Sequence, residues 1–137
     1  MSGADVGNQA GTYGQNGQAA SSNVPGARDT PVSWTDTSGN LWLFGGNGYD
    51  SQGNLRLIND LWKYSGGEWT WMSGADVGDQ AGTYGQIGQA ASSNVPGARS
   101  ESVSWTDTSG NLWLFGGNGY DSKGKAGWLN DLWKYEP

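Results

Sequence analysis

Neither cysteine nor histidine occurs anywhere in the 137 residues. Without cysteine there is no thiolate nucleophile, no disulfide and no thiolate metal site. Without histidine there is no Ser-His-Asp triad and no imidazole ligand. Any chemistry of this chain has to rest on carboxylates, tyrosine, lysine, arginine or hydroxyls. Cations are scarce too: seven Lys and Arg stand against thirteen Asp and Glu, for a net charge of −6. They are scattered singly apart from Lys123 and Lys125, a poor match for nucleic acid or an anionic membrane. No apolar stretch approaches the roughly 18 residues of a membrane span. The opening residues MSGADVGNQAG have neither the basic region nor the apolar core expected of a secretory leader. Nothing in the residues names a compartment. Amphipathic runs at helical spacing are also missing, which points away from helix and toward strand.

What the chain does have is glycine, with 25 residues, and tryptophan, with 9. It also has a near-perfect duplication. Residues 1–66 align with 72–137 at a constant offset of 71, and only 13 of the 66 positions differ. The stretch VSWTDTSGNLWLFGGNGYDS at 32–51 returns unchanged at 103–122, and NDLWKY at 59–64 returns at 130–135. A repeat of this length is a supersecondary unit, and such units rarely stand alone. The first repeat is taken as 1–71 and the second as 72–137.

Within one repeat, residues 2–27 read as a long polar loop. A strand a is expected from Pro31 to Thr35, where Val32 and Trp34 alternate with Ser33 and Thr35. Asp36 to Asn40 reads as a tight turn. The apolar run Leu41–Phe44 reads as a strand b buried on both faces, ended by Gly45-Gly46. A second long connection is expected from Asn47 to about Leu57. Strand c follows over Asn59–Tyr64, with Leu61 and Lys63 on one face and Trp62 and Tyr64 on the other. After the turn Ser65–Glu68, Trp69–Trp71 forms strand d. The second repeat has no counterpart of Gly67–Trp71, so it is expected to carry three strands and an open outer edge.

A four-stranded meander repeated in tandem, with glycine and aromatic landmarks, is the pattern of a β-propeller blade. The landmarks resemble the Kelch family: Arg28, the pair Gly45-Gly46 after an apolar strand, Tyr49, the strand Asn59–Tyr64, and Trp69 after a turn. All but Trp69 recur, as Arg99, Gly116-Gly117, Tyr120 and Asn130–Tyr135. The resemblance implies an all-β fold of two Kelch-type blades, the second without its outer strand. It implies packing or structural roles for Arg28, Trp42, Gly45, Gly46, Trp62 and Tyr64, and for Arg99, Trp113, Gly116, Gly117, Trp133 and Tyr135. A copper enzyme of this fold family builds its site from Cys and His, so the resemblance carries no enzyme here. No cofactor or metal is expected.

Two blades leave two broad apolar faces in water, which marks association. Near-identical repeats make any blade a fitting neighbour for any other, so copies should join head to tail and close a ring. Three chains would supply six blades, the number usual for the family; four would supply eight. The expected partner is therefore the chain itself, as a trimer or else a tetramer. Ligand contacts are expected at the end of the blade that carries the two long connections, because function concentrates on long loops held by a scaffold. Six of the 13 differences fall in or beside the b–c connection, and three more precede strand a. The candidates are Tyr13, Tyr49, Asp50 and Arg56, with Tyr84, Tyr120, Asp121 and Trp128 in the second repeat. Aromatics beside polar groups suit a carbohydrate or a peptide. Asp50–Asn54 offers oxygen ligands and a glycine, but it lacks the carboxylate spacing of a calcium loop, and a turn is its expected role. The alternative reading is a piece of a larger secreted or cell-surface bacterial protein that binds carbohydrate or protein.

Overall fold

The alternation of Val32 and Trp34 with Ser33 and Thr35 is realised as a strand with its apolar residues buried and its polar ones in water. The computed structural model describes residues 1–137, the whole chain. It contains no helix. Nine strands form two antiparallel sheets, neither of which closes on itself. The first sheet holds β1 (Arg28–Asp29), β2 (Val32–Thr35), β3 (Leu41–Tyr49), β4 (Leu55–Ser65) and β5 (Glu68–Ser73). β1 and β2 lie end to end along one side of β3, β4 pairs with its other side, and β5 pairs with β4. The expected strand a is realised as β2, and a further short strand, β1, precedes it, separated from it at Thr30, whose φ of 48° no extended strand can hold. The second sheet holds β6 (Arg99–Ser100), β7 (Val103–Thr106), β8 (Leu112–Tyr120) and β9 (Ala126–Tyr135). β9 pairs with β8 alone.

The turn at Asp36 forms because its carboxylate replaces water for the backbone it bends. Oδ1 accepts from the N–H of Ser38 and of Asn40, both at 2.9 Å, and Oδ2 accepts from the Trp42 indole at 2.9 Å. Asp107 repeats the arrangement.

Two expected boundaries are corrected. Gly45-Gly46 does not end strand b. The strand runs on to Tyr49 through a bulge between Phe44 and Gly46. Both glycines have positive φ, 65° and 102°, and a Cβ on Gly46 would lie 2.6 Å from the Asp29 carbonyl oxygen. The pair therefore bends a continuing strand while the neighbouring backbone passes close by. As a consequence the b–c connection is short. Asn47, Gly48 and Tyr49 pair with Leu57, Arg56 and Leu55, leaving only 50–54 as a turn.

The main apolar core lies between the two sheets. Val32, Trp34, Trp42, Phe44 and Leu61 of the first sheet meet Leu112 and Leu114 of the second, with Trp133 and Tyr135 partly buried beside them. Each such side chain contributes roughly 1.5–3 kcal/mol by leaving water. The Trp34 indole donates to the Trp113 carbonyl at 2.9 Å, and the Trp42 and Tyr135 rings lie 5.2 Å apart. Gly45 sits against the Arg99 carbonyl, 2.8 Å from where its Cβ would be.

Candidate functional site

Each repeat carries one arginine ahead of strand a, and each arginine is consumed by one buried carboxylate. Arg28 grips Asp60 with two parallel bonds, Nη1 to Oδ1 at 2.6 Å and Nη2 to Oδ2 at 2.8 Å. Its Nε and Nη1 also donate to the carbonyls of Gly26 and Gly45. Asp60 Oδ2 further accepts from the Tyr13 hydroxyl at 2.6 Å and the Trp62 indole at 2.7 Å. Arg99, Asp131, Tyr84 and Trp133 repeat the network. Burial alone would raise the Asp131 carboxyl, but Arg99, Tyr84 and Trp133 outweigh it and hold it at about 2. Burial and the carboxylate together push the Tyr84 hydroxyl up to about 12 and move Tyr13 further in the same direction.

Two of the expected ligand contacts are corrected by this geometry. Tyr13 is 5 % exposed, lies 4.9 Å from Trp62 and 5.2 Å from Trp71, and has its hydroxyl committed to Asp60. It is a packing residue, drawn inward because the long loop folds over the sheet instead of standing off it. Asp50 is buried as well. Its Oδ1 accepts from the N–H of Gln52 and Asn54, and its Oδ2 from Gly78, so it holds the b–c turn and the following loop together. Asp121 builds the same turn in the second sheet, with Lys123 and Lys125 as donors, and remains near the surface. Tyr84 is half-buried in its own network.

The remaining candidates do share one end of the molecule. Arg56 pairs with Asp79 at 3.2 Å, across the two repeats. Tyr120 approaches the same carboxylate, and burial together with Asp79 raises its hydroxyl. Arg56 and Tyr120 therefore come together around Asp79. Tyr49 is half-buried nearby on β3, and Trp128 is 80 % exposed near the start of β9. No three carboxylates gather where a metal could be held.

The packing candidates divide between two roles. Trp42, Trp133 and Tyr135 lie in or against the core between the sheets. Trp62 and Tyr64 instead pack inside the first sheet, against Tyr13 and Trp69. Trp113 stacks on Trp105, ring planes 3° apart.

The two sheets are copies, yet they use opposite faces on one another. The first sheet offers the face of Val32, Trp34, Trp42, Phe44 and Leu61; the second answers with the face of Leu112, Leu114, Trp133 and Tyr135. The unused face of the second sheet carries Val103, Trp105, Phe115 and Leu132, which are 58 %, 45 %, 41 % and 55 % exposed. These are the counterparts of Val32, Trp34, Phe44 and Leu61. The unused face of the first sheet carries Leu41, 49 % exposed, with Leu43 and Tyr64 half-buried. So the molecule shows at its two ends the two halves of the interface it contains in its middle.

No family model matches the chain, and no curated protein matches it. The residues that sequence reasoning missed are Asp60 and Asp131. One signal for them was available: the arginine that recurs ahead of strand a in both repeats requires a counter-charge if buried, and the only acid within the recurring NDLWKY strand is this aspartate.

Proposed function

We propose that this chain is a non-enzymatic, self-assembling unit of a Kelch-type β-propeller, whose copies join head to tail into a ring. The observation that carries the reading is the pair of exposed, mutually complementary end faces, copies of the two halves of the buried interface between the sheets. A heterologous contact of this kind closes when the rotation per chain divides the circle. The main apolar and backbone contacts of the inner interface have prospective equivalents between copies, although the Arg56–Asp79 pair does not, since Gly127 and Asn8 stand at the matching positions. The Trp105 indole would donate to the Trp42 carbonyl of a second copy, as Trp34 does to Trp113. Gly116, whose Cβ position meets only Leu129, would receive the Arg28 carbonyl as Gly45 receives that of Arg99. Three chains giving six blades is the favoured ring, and four giving eight the next. The ring would present Arg56, Tyr120, Tyr49 and Trp128 at one end, suited to a carbohydrate or a peptide.

The mass in solution tests this. Light scattering across a dilution series should return about three chain masses, or four. Phe115→Asp places a charge on an already exposed face, so it should leave the fold intact and yield single chains. Wild-type protein that stays at one chain mass at every concentration ends the self-assembly reading and favours the piece-of-a-larger-binding-protein alternative.

A further inference from the structure

A polar cleft lies between the two a–b turns, at the end of the molecule away from Arg56 and Tyr120. β3 runs from one end to the other: Leu41 follows the first turn, and Gly48 pairs with Arg56. The cleft has a volume of about 370 Å³, within the range of small-molecule sites. Two of its walls are the turns themselves, residues 36–40 and 107–111. The second turn is seated on the first, since a Cβ on the buried Gly110 would lie 3.0 Å from the Thr37 methyl carbon. Lys63 of β4 forms a third side. Both turns and Lys63 belong to the junction that one chain contains, so the cleft is complete without a second copy.

No hydrophobic residue lines this cleft, so it cannot hold a ligand by burying apolar surface. What it offers is a set of polar groups left unspent by the fold. Asn40 and Asn111 each give one amide N–H to the aspartate of their own turn, Asp36 or Asp107, at 2.9 Å. Those bonds fix how both carboxamides point, and they leave each Oδ1 and a second N–H for a ligand. Groups aimed in advance lose little freedom on binding. Ser38 and Ser109 spend their backbone N–H on the same aspartates, which leaves their hydroxyls to donate and to accept. The Lys63 ammonium stands 5.6 Å from the centre of the Trp42 ring and enters no ion pair. Two carboxylates share the cleft with it. Asp36 already accepts four bonds, from Ser38, Trp42 and, twice, Asn40, and Glu136 pairs with Lys134.

This set of groups selects against ions. An anion that approaches Lys63 meets Asp36 and Glu136, and a cation that approaches the carboxylates meets Lys63. A neutral ligand with several hydroxyls meets no like charge, and each hydroxyl can accept from Lys63 or an amide N–H and donate to an Asn Oδ1 or a serine. We infer that the cleft between the two a–b turns is a binding site for a neutral sugar ring, held by Lys63, Asn40, Asn111, Ser38 and Ser109. It stands apart from the b–c end, where Arg56 and Tyr120 gather, and it does not rest on ring assembly.

The test is saturation-transfer NMR of D-glucose titrated against the 137-residue chain, with D-glucuronate and D-glucosamine as its anionic and cationic analogues. Saturable binding of glucose is expected, with both charged analogues weaker. Lys63→Met keeps an unbranched stem over Trp42 and removes the ammonium, so it should weaken glucose about ten-fold. Ser109→Ala, at an exposed position on the turn, removes one hydroxyl and should weaken it about three-fold. Tryptophan fluorescence matching the wild type certifies that both variants are folded. No saturable glucose binding, tighter binding of either charged analogue, or glucose binding untouched by both substitutions would each overturn the inference. Single chains obtained with Phe115→Asp should bind glucose as the wild type does, which separates this result from a failure of ring assembly.

Discussion

Replacing Asp60 by asparagine should cost this protein a large share of its stability. The carboxylate is fully buried, and the Arg28 side chain that it neutralises is 5 % exposed. Asparagine keeps the volume, so no cavity forms, but it leaves a guanidinium buried without its charge partner. Breaking a buried pair from one side costs about 3–5 kcal/mol, against a total of roughly 5–15 kcal/mol for a domain. Tyr13→Phe removes one donor to a charged acceptor and should cost about 1.5–3 kcal/mol. The two changes should not add. In the Asp60→Asn background the Tyr13 hydroxyl meets only a neutral amide oxygen, and its loss should cost about 1 kcal/mol less. Urea unfolding followed by tryptophan fluorescence, at one fixed protein concentration, measures all four corners of the cycle. A cost below about 1 kcal/mol for Asp60→Asn, or full additivity, would refute the view that one coupled charge network ties the long loop to the sheet.

Further outcomes follow from the same geometry. Asp131 is held at about 2 by Arg99 and its neighbours against the effect of burial, and Asp36 at about 2 by Trp42, Asn40 and Ser38, likewise against desolvation. Unfolded carboxylates titrate near 3.9, so this stability is complete above about pH 4 and is lost as pH falls toward 2. In alkali the sign reverses: Tyr84, raised to about 12 by burial and by Asp131, contributes stability below about pH 10 that fades as pH climbs to 12. Urea midpoints across pH should trace both flanks, and a midpoint indifferent to pH between 2 and 4 would contradict the carboxylate network. Gly45→Ala and Gly116→Ala share a positive φ of about 65°, but only Gly45 faces the other sheet, at the Arg99 carbonyl. Gly45→Ala should lower the unfolding midpoint more, while Gly116→Ala should chiefly weaken assembly, read as mass against concentration; equal effects on both readouts would argue against the proposed ring.

Much of the local structure was legible in the residues. Alternation announced β2, the aspartate-glycine turn announced the a–b hairpin, and the 71-residue offset announced two equivalent sheets with one strand unmatched. The b–c connection was not legible. Asn47, Gly48 and Arg56 look like loop residues, but backbone pairing is indifferent to side-chain polarity, and a two-glycine bulge lets β3 continue past Phe44. Tyr13 and Asp50 looked like surface contacts because their neighbours are polar. They are buried because the long loop lies down on the sheet and the following repeat donates Gly78 to Asp50.

By itself the sequence determined that the protein is built of strands, that it is built twice, and that it lacks the groups for thiol, imidazole or triad chemistry. Those properties reside in side-chain type and short-range spacing. Only the tertiary structure decided which face of each copy is used. Period-two alternation gives a sheet two sides without saying which neighbour each side meets. Here one copy buries the side of Trp34 and the other the side of Leu114, because two identical apolar sheets can stack head to tail only by presenting unlike faces. The same stacking leaves one face of each kind open to water.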